Sequence, residues 1–404
     1  MGGAPRPTDA PTMTPSTLDR TNAFVVRDDI AMPDRAGPPV NARAERRDSY
    51  PIHVTRTLED TAARLVELIA GAQVAVVTDE IVMRLHGADL LDALTGAGVD
   101  VQVSVLPAGE RSKCLEQAAR LWDWLAASSI GRRDALLAFG GGVINDTGGW
   151  VASGYMRGIP YINIPTTLLA QVDGAMGGKV AVNHPLAKNL LGAFYQPLGV
   201  VSNIAFLHSL EARHLRAGLA ESIKKAVIAS PAYWAFIEDN LGAILERDAA
   251  ALERLVKAAA EIKTALIERD PYEEDLRRTL NFGHTIGHPL ETVTGYGPLL
   301  HGEAVAFGMV VESRIAHGRG LLADETLARI IELLRRAGLP TTARDLPVRA
   351  DGQAIVAAME KVRLIRAGSL RWVLPVAFGQ TVIADDVTDG EVRRALRESG
   401  AAGE

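Results

Sequence analysis

The chain has 404 residues, more than a single hydrophobic core usually serves, and its 48% hydrophobic content is sufficient for two cores. The net charge of -6, with acidic and basic residues interspersed, excludes a general nucleic-acid-binding protein. One cysteine, Cys114, excludes an internal disulfide framework, and no apolar run is long enough to span a bilayer, so we expect a cytoplasmic location.

The first 49 residues are rich in proline, arginine and acidic residues and contain no lysine. A signal peptide needs an apolar segment, and a transit peptide is poor in acidic residues, so neither class fits. The composition favours a mostly disordered extension over residues 1–49.

From Tyr50 onward, short apolar strands alternate with amphipathic helices. Strands are predicted at Val74–Val77, Val101–Leu106 and Ala135–Phe139. Helical segments are predicted between them, over Ile81–Gly98 and Cys114–Ala127. This alternation is typical of a parallel α/β layer.

Two polar segments follow predicted strands, where ligands of parallel sheets bind. They are Thr78-Asp79 and the run from Gly140 to Asp146, Gly-Gly-Gly-Val-Ile-Asn-Asp. Three glycines let a backbone approach a pyrophosphate, and the helix that follows offers free N–H groups. The run is not G-x-G-x-x-G, so a simple tight turn is the alternative interpretation.

Residues 157–197 carry charged side chains among glycines and are too irregular for simple core strands. Gly177-Gly178-Lys179 places an ammonium group beside exposed backbone N–H groups, a common way to hold a phosphate. The alternative is a glycine-rich surface loop with incidental charges.

Polar groups recur at helical spacing between residues 277 and 303. Arg277, Asn281, His284 and His288 are four, three and four residues apart, which would form one stripe if the stretch is helical. Two imidazoles at i and i+4 suit one divalent metal, and His301 follows within reach. A metal centre is therefore the first hypothesis, and a solvated or core-bonded histidine face is the alternative.

Three stretches together resemble the 3-dehydroquinate synthases and related sugar phosphate cyclases. They are Gly140–Pro197, Ala217-Gly-Leu-Ala-Glu-Ser-Ile-Lys224, and Leu280-Asn-Phe-Gly-His-Thr-Ile-Gly-His288 with His301-Gly-Glu303. The resemblance covers about residues 50 to 390. It implies an α/β fold, with a Rossmann-like NAD-binding domain at residues 50–205 and a mostly α-helical metal- and substrate-binding domain at 206–404.

The resemblance also implies the site residues. The metal, Zn2+ or Co2+, would be held by Glu221, His284 and His301, while His288 would contact substrate phosphate instead of metal. The positions that match substrate-contacting residues are Asp173, Lys179, Asn189, Lys224, Lys263, Arg277, Asn281 and His288, with Arg157 reaching in from the second subunit of a homodimer. The positions that match NAD-binding residues are Asp79, Glu110, Lys113, Gly141, Gly142, Asp146, Thr166, Thr167 and Lys188.

The implied substrate is a small sugar phosphate. In this family NAD accepts a hydride and returns it within each cycle, phosphate is eliminated, and an aldol step closes a carbocycle. Retained Arg277 could pair bidentately with a carboxylate, so we expect 3-deoxy-D-arabino-heptulosonate 7-phosphate as substrate and 3-dehydroquinate as product. The alternatives are a sister cyclase that makes a valiolone-type cyclitol from sedoheptulose 7-phosphate and, more remotely, a metal-dependent alcohol or glycerol dehydrogenase.

Three places depart from the family pattern. Asn145 stands where glycine is usual, and Asn203 with Glu211-Ala-Arg-His214 replaces a usual Asp and a Leu-Pro-x-Arg-Glu run. The third is Val362-Arg363-Leu364, where dehydroquinate synthases have Asp-Lys-Lys with a substrate-binding lysine. Either Arg363 or Lys361 would have to replace that lysine, which leaves the sedoheptulose alternative open.

Overall fold

The computed structural model describes residues 48–69, 73–185, 187–272, 276–295, 297–365 and 370–401. Within these ranges the side chains of residues 276–278 and 361–365 lie outside the description. The predicted extension therefore falls outside the described residues up to position 47. So do the side chains of Arg277, Lys361, Val362, Arg363 and Leu364.

A six-stranded parallel sheet forms the centre of the first half of the chain. Its strands are β1 (Ile52–Thr55), β2 (Val74–Asp79), β3 (Val101–Leu106), β4 (Ala135–Gly140), β5 (Tyr161–Pro165) and β8 (Gly199–Asn203). They lie in the order β1-β8-β5-β4-β2-β3. Apolar side chains alternate between its faces: Ala75 and Val77 belong to one core, and Val74 and Val76 to the other. Burial on both faces explains why these strands have nearly continuous apolar sequences.

Helices cover both faces of the sheet. They are α1 (Leu58–Ile69), α2 (Glu80–Val82), α3 (Ala88–Gly96), α4 (Leu115–Ala127) and α5 (Gly142–Gly154), with a π-helical turn at Met83–Gly87 and 3-10 turns at Glu110–Ser112, Tyr155–Arg157 and Ile204–His208. The predicted parallel α/β layer is confirmed. The three strands predicted from the sequence, β2, β3 and β4, agree with the structure to within two residues at each end.

A β-hairpin occupies part of the segment predicted to be irregular. Strands β6 (Lys179–His184) and β7 (Ala187–Phe194) pair antiparallel, and the side chains of Val180 and Val182 pack into the core that contains Ile144 of α5. Before the hairpin, a π-helical turn at Ala170–Gly174 carries Asp173.

The second half of the chain is mostly helical and builds its own large core. Its helices are α6 (Ala212–Ala229), α7 (Pro231–Leu245), α8 (Ala249–Arg269), α9 (His284–Val293), α10 (His301–Gly318), α11 (Asp324–Arg336), α12 (Gly352–Ile365) and α13 (Asp389–Glu398), with a 3-10 turn at Leu276–Asn281 and an antiparallel pair β9 (Trp372–Ala377) and β10 (Gln380–Ala384). None of the helices within the described ranges is long and apolar enough to cross a membrane.

The stretch from 277 to 288 is not one continuous helix. The 3-10 turn ends at Asn281, and Gly283 adopts a left-handed conformation (φ +82°) before α9 begins at His284. The prediction of a single stripe through Arg277, Asn281, His284 and His288 is therefore wrong for its first two members, because glycine at position 283 redirects the chain.

Candidate active site

One carboxylate and two imidazoles converge between three helices. Glu221 lies inside α6, whereas His284 and His301 are the first residues of α9 and α10. The Nε2 atoms of His284 and His301 lie 3.7 and 3.6 Å from the same Glu221 oxygen, Oε1. Ligand atoms of all three residues lie within 4.8 Å of one another, so they could hold one metal ion.

The carboxylate of Glu221 and the imidazole of His284 have protonation states that suit a divalent metal. Burial raises the pKa of the Glu221 carboxyl, but Lys224, His301 and His284 together outweigh burial and lower it well below its ordinary value. Burial and Lys224 lower the pKa of His284 well below 6.5, which leaves that imidazole neutral. Burial lowers the pKa of His301 too, but the carboxylates of Glu221 and Glu291 outweigh burial and raise it to about 10, so a metal ion bound here would displace the Nε2 proton of this ring.

Hydrogen bonds orient both imidazoles. The Nδ1 atom of His284 donates to the Phe282 carbonyl oxygen at 3.2 Å, because a carbonyl can only accept. For the same reason the Nδ1 atom of His301 donates to Glu291 at 3.1 Å. Nε2 of each ring therefore faces Glu221 and is available to a metal.

The donor set itself argues for a metal. Both carboxylate oxygens of Glu221 are buried without a well-formed hydrogen bond among the described residues, although Lys224 forms an ion pair with one of them. One carboxylate and two imidazoles leave an open fourth position, as catalytic zinc sites do. The residues present therefore fit a Zn2+ or Co2+ ion.

His288 lies beside this group. Its ring centroid is 4.9 Å from that of His284 and 5.9 Å from that of His301, but it does not belong to the set with Glu221. With Glu291 and His301 it forms a second set of possible metal ligands. The predicted contact of His288 with phosphate stays a prediction.

Asp173 joins the sheet half of the chain to the helical half. Its Oδ1 atom lies 2.6 Å from Lys225 Nζ and 3.1 Å from Lys263 Nζ, and the Lys263 ammonium also donates to the Asp173 carbonyl oxygen at 2.6 Å. Burial raises the pKa of Asp173, but Lys225, Lys263 and Lys224 outweigh burial and lower it well below 3.8. Of the predicted substrate residues, Asp173, Lys224 and Lys263 are thus brought together.

A second polar cluster lies where the hairpin meets the N-terminal part of α5. Lys113 is buried and donates hydrogen bonds to Asp146 and to the side chain of Asn189. Asn189 has a left-handed backbone (φ 54°), and its N–H donates to the Asn183 side chain at 2.9 Å, while Asn183 donates to Glu110 at 2.8 Å. Residues predicted to bind NAD and one predicted to bind substrate therefore share one network.

The remaining cofactor candidates, apart from Lys188 on β7, lie at the carboxyl ends of the sheet strands. Asp79 ends β2 and accepts hydrogen bonds from the N–H groups of Ile81 and Val82. Gly141 precedes α5, and a Cβ there would lie 3.0 Å from the Thr167 side chain. Thr166 and Thr167 follow β5, and the Thr166 N–H bonds the Gly140 carbonyl. The predicted strand–glycine–helix turn is present, and its N–H groups suit a pyrophosphate.

Three more of the predicted substrate residues lie at the start or end of an element. Lys179 begins β6 after Gly177 and Gly178, both of which have positive φ, and Asn281 ends the turn before α9. Arg157 lies in an exposed turn at the end of α5, and its contact across a dimer stays a prediction. The side chain of Arg277 lies outside the described residues.

Two of the departures from the family pattern have a local structural role. The Asn145 side chain is buried and donates to the Ala138 carbonyl oxygen at 3.0 Å. Asn203 accepts from the Ala205 N–H at 2.8 Å and so caps the 3-10 turn that follows β8, as the usual Asp could.

Sequence reasoning missed three buried charged residues around the site: Lys225, Glu291 and Glu312. Glu312 of α10 accepts hydrogen bonds from the N–H groups of Gly283 and Thr285, which flank His284. Lys225 follows Lys224 directly before the apolar residues 226–229 at the end of α6, and a charged pair in such a setting was the available signal.

Comparison with known proteins gives consistent results. Family models of the 3-dehydroquinate synthase N-terminal and C-terminal regions match residues 103–217 and 218–362. A 2-epi-valiolone synthase of Actinosynnema mirum is 50% identical over 379 residues, covering 94% of this chain and 99% of that protein. A 3-dehydroquinate synthase of Desulforamulus reducens is 43% identical over 351 residues, covering 87% and 97%.

A solved structure agrees with these sequence matches. ValA, the 2-epi-5-epi-valiolone synthase of Streptomyces hygroscopicus subsp. jinggangensis, was solved with NAD+ and Zn2+ bound. It superposes with a TM-score of 0.83 at 31% identity, covering 89% of this chain and 99% of that one.

Proposed function

Because this chain belongs to the 3-dehydroquinate synthase family, we propose that it cyclises sedoheptulose 7-phosphate to a valiolone-type cyclitol and releases inorganic phosphate. The observation that carries the proposal is the 50% identity to a 2-epi-valiolone synthase over nearly the full length of both chains. The match to a 3-dehydroquinate synthase is 43% over a shorter span.

The sequence alone favoured the acid substrate over sedoheptulose 7-phosphate, and the proposed function reverses that preference. Retained Arg277 favoured the acid substrate, whereas the altered segment Val362-Arg363-Leu364 favoured the substrate without a carboxylate. The comparisons support the second reading. If neither Arg363 nor Lys361 replaces the family lysine, one anion contact is lost, which would leave part of the acid substrate's charge unpaired once it is removed from water.

We assign the cofactors as NAD+ and a divalent metal. Glu221, His284 and His301 would hold the metal, and the carboxyl ends of β2, β4 and β5 with the hairpin would hold NAD+. When bound, NAD+ supplies a hydride acceptor and the metal supplies a positive charge that favours ionisation of a substrate hydroxyl.

The chain's own residues would bind and orient the sugar phosphate. Lys224 and Lys263 are buried cations that suit a phosphate removed from water. Asp173, held on Oδ1 by two ammonium groups, presents its second oxygen as an acceptor for a substrate hydroxyl. Because phosphate elimination depends mainly on positioning, this rigid anchoring is what the protein contributes.

The test is an assay of released phosphate with purified enzyme, NAD+ and Zn2+, offered the two heptulose phosphates in parallel. We expect release from sedoheptulose 7-phosphate, dependence on added NAD+, and no net accumulation of NADH. Because the relatives are named for 2-epi- and 2-epi-5-epi-valiolone, the configuration of the product should be determined by NMR.

Release from the acid alone would show that the enzyme is a 3-dehydroquinate synthase, the alternative that Arg277 and the Desulforamulus reducens relative favour. Stoichiometric NADH with either substrate would instead show a net dehydrogenase. His301→Ala is the matched negative control, since it removes one metal ligand.

A further inference from the structure

Glu291 is a buried carboxylate that lies next to the proposed metal ligands but is not one of them. It lies on α9 and is 3% exposed. Its Oε2 atom lies 3.1 Å from His301 Nδ1, and its Oε1 atom lies 3.4 Å from Lys188 Nζ on β7. The carboxylate thus lies between a metal ligand and the hairpin.

The contact with His301 determines which ring nitrogen can bind a metal. A carboxylate only accepts, so Nδ1 carries a proton, and Nε2 is the nitrogen that a metal can bind when it displaces the Nε2 proton. Nε2 is the atom that lies 3.6 Å from Glu221 Oε1. A ligand histidine held in this way has its orientation fixed before the metal arrives, and the proton that it keeps is the one on Nδ1.

Glu291 is better suited to this role than to being a ligand itself. The set of Glu291, His288 and His301 would use His301 through Nδ1, the nitrogen that faces away from Glu221. His288 is exposed, whereas Glu221 is fully buried and lacks well-formed hydrogen bonds. The buried set therefore has more to gain from a metal ion.

Lys188 completes the arrangement. Its ammonium lies 3.4 Å from Glu291 and 3.8 Å from Glu110, so it lies between a carboxylate of the metal region and one of the hairpin network.

We propose that Glu291 positions His301 for the metal and that Lys188 holds Glu291 in place, which joins the metal centre to the β6–β7 hairpin. This role of Glu291 and Lys188 concerns metal affinity alone and does not depend on which sugar phosphate is the substrate.

The test measures Zn2+ affinity of the full-length protein by competition with a chromophoric chelator, and the absorption spectrum with Co2+. We expect Glu291→Ala to weaken Zn2+ binding by about 10- to 100-fold, the usual effect of losing such a partner. Glu291→Gln should fall between wild type and Glu291→Ala, because its amide oxygen can still accept from Nδ1 but is uncharged. Lys188→Met should weaken binding several-fold, by roughly the effect of a lost charge contact.

Two controls make the result specific. Glu391 pairs with Arg319, which follows the C-terminal end of α10, about 27 Å along the helix from His301. Glu391→Gln should therefore leave Zn2+ affinity unchanged. His288→Ala should also leave Zn2+ affinity unchanged, because His288 is not in the buried ligand set.

Wild-type affinity in folded Glu291→Ala would overturn the proposal, and wild-type affinity in Lys188→Met would remove Lys188 from it. If His288→Ala and Glu291→Gln both abolish binding while Glu221→Gln retains it, the metal occupies the second set and Glu291 is a ligand.

Discussion

At the scale of single residues, the adjacent lysines of α6 serve different carboxylates. Lys224 pairs with Glu221, whereas Lys225 donates to the carbonyl oxygen of Val172 and to Asp173. Neighbouring residues of a helix point about 100° apart, so one helix segment can supply a cation to each of two sites. Lys225 is fully buried, and a buried cation of this kind needs a paired anion.

Lys225→Met tests this pair. Removing one partner of a buried ion pair typically costs about 3–5 kcal/mol, and because Lys263 still pairs with Asp173 we expect a loss of about 1–3 kcal/mol in the free energy of unfolding. Because the pKa of Asp173 is lowered in the folded protein, the pair stabilises above pH 3.8, and its contribution is lost as the pH falls further. Denaturant unfolding between neutral and acidic pH measures both effects.

The matched control is Lys257→Met, which breaks an exposed pair with Glu253 on α8 and should change stability by less than about 1 kcal/mol. An equal effect of the two substitutions would show that burial of Lys225 is unimportant. A deficit in Lys225→Met that persists unchanged in acid would show that Asp173 is not its essential partner.

At the scale of elements, α10 determines the spacing of the proposed metal ligands. It begins with His301, and a Cβ at Gly302 would lie 1.8 Å from the Ala217 carbonyl oxygen of α6, one turn before Glu221. A Cβ at Gly308 would lie 1.9 Å from the Gly283 carbonyl oxygen, next to His284. Two close backbone contacts on one helix therefore fix the positions of the other two ligands.

Gly308→Ala should disturb this spacing. The added methyl group overlaps backbone, so the turn at Gly283 must move and His284 with it. We expect Zn2+ to bind at least about tenfold more weakly and the free energy of unfolding to fall by about 1–3 kcal/mol. Chelator competition and denaturant unfolding measure the two quantities.

Gly242→Ala on α7 is the control, because a Cβ there meets no atom within 4 Å. It should stabilise the protein by about 0.5–1 kcal/mol through helix propensity and leave metal affinity unchanged. If folded Gly308→Ala binds Zn2+ as wild type does, α10 does not set the spacing.

The same elements show what the sequence could predict. The sheet and the glycine turn after β4 were predictable, because apolar runs and glycines are local signals. Spacing alone paired His284 with His288, whereas the structure pairs His284 with His301 and Glu221, since ligands on three helices depend on packing. Glu291 and Lys225 could not be assigned for the same reason: their partners lie 10 and 52 residues away.

At the scale of the whole molecule, metal binding should stabilise the fold. The proposed ligands come from α6, α9 and α10, which unfolding separates, so a metal held by them would bind the folded chain only. Above the dissociation constant, each tenfold rise in free Zn2+ should raise the free energy of unfolding by about 1.4 kcal/mol. Denaturant unfolding at buffered Zn2+ concentrations gives this slope.

His301→Ala should unfold independently of Zn2+ over the same range, whereas Glu391→Gln should keep the wild-type slope. A Zn2+-dependent slope in His301→Ala equal to that of wild type would mean that the ion binds elsewhere.

The position of β1 at the edge of the sheet has a consequence for synthesis on the ribosome. Ile52 of β1 pairs with Val200 of β8, a partner translated 148 residues later (200 − 52). At about 5 to 20 residues per second, the first strand waits roughly 7 to 30 s for its neighbour. Strands β2, β3 and β4 emerge within that interval and pair with one another, so the N-terminal strand joins a partly assembled sheet. Nascent chains stalled before β8 should therefore expose β1 to protease while the β2–β3–β4 region is already protected.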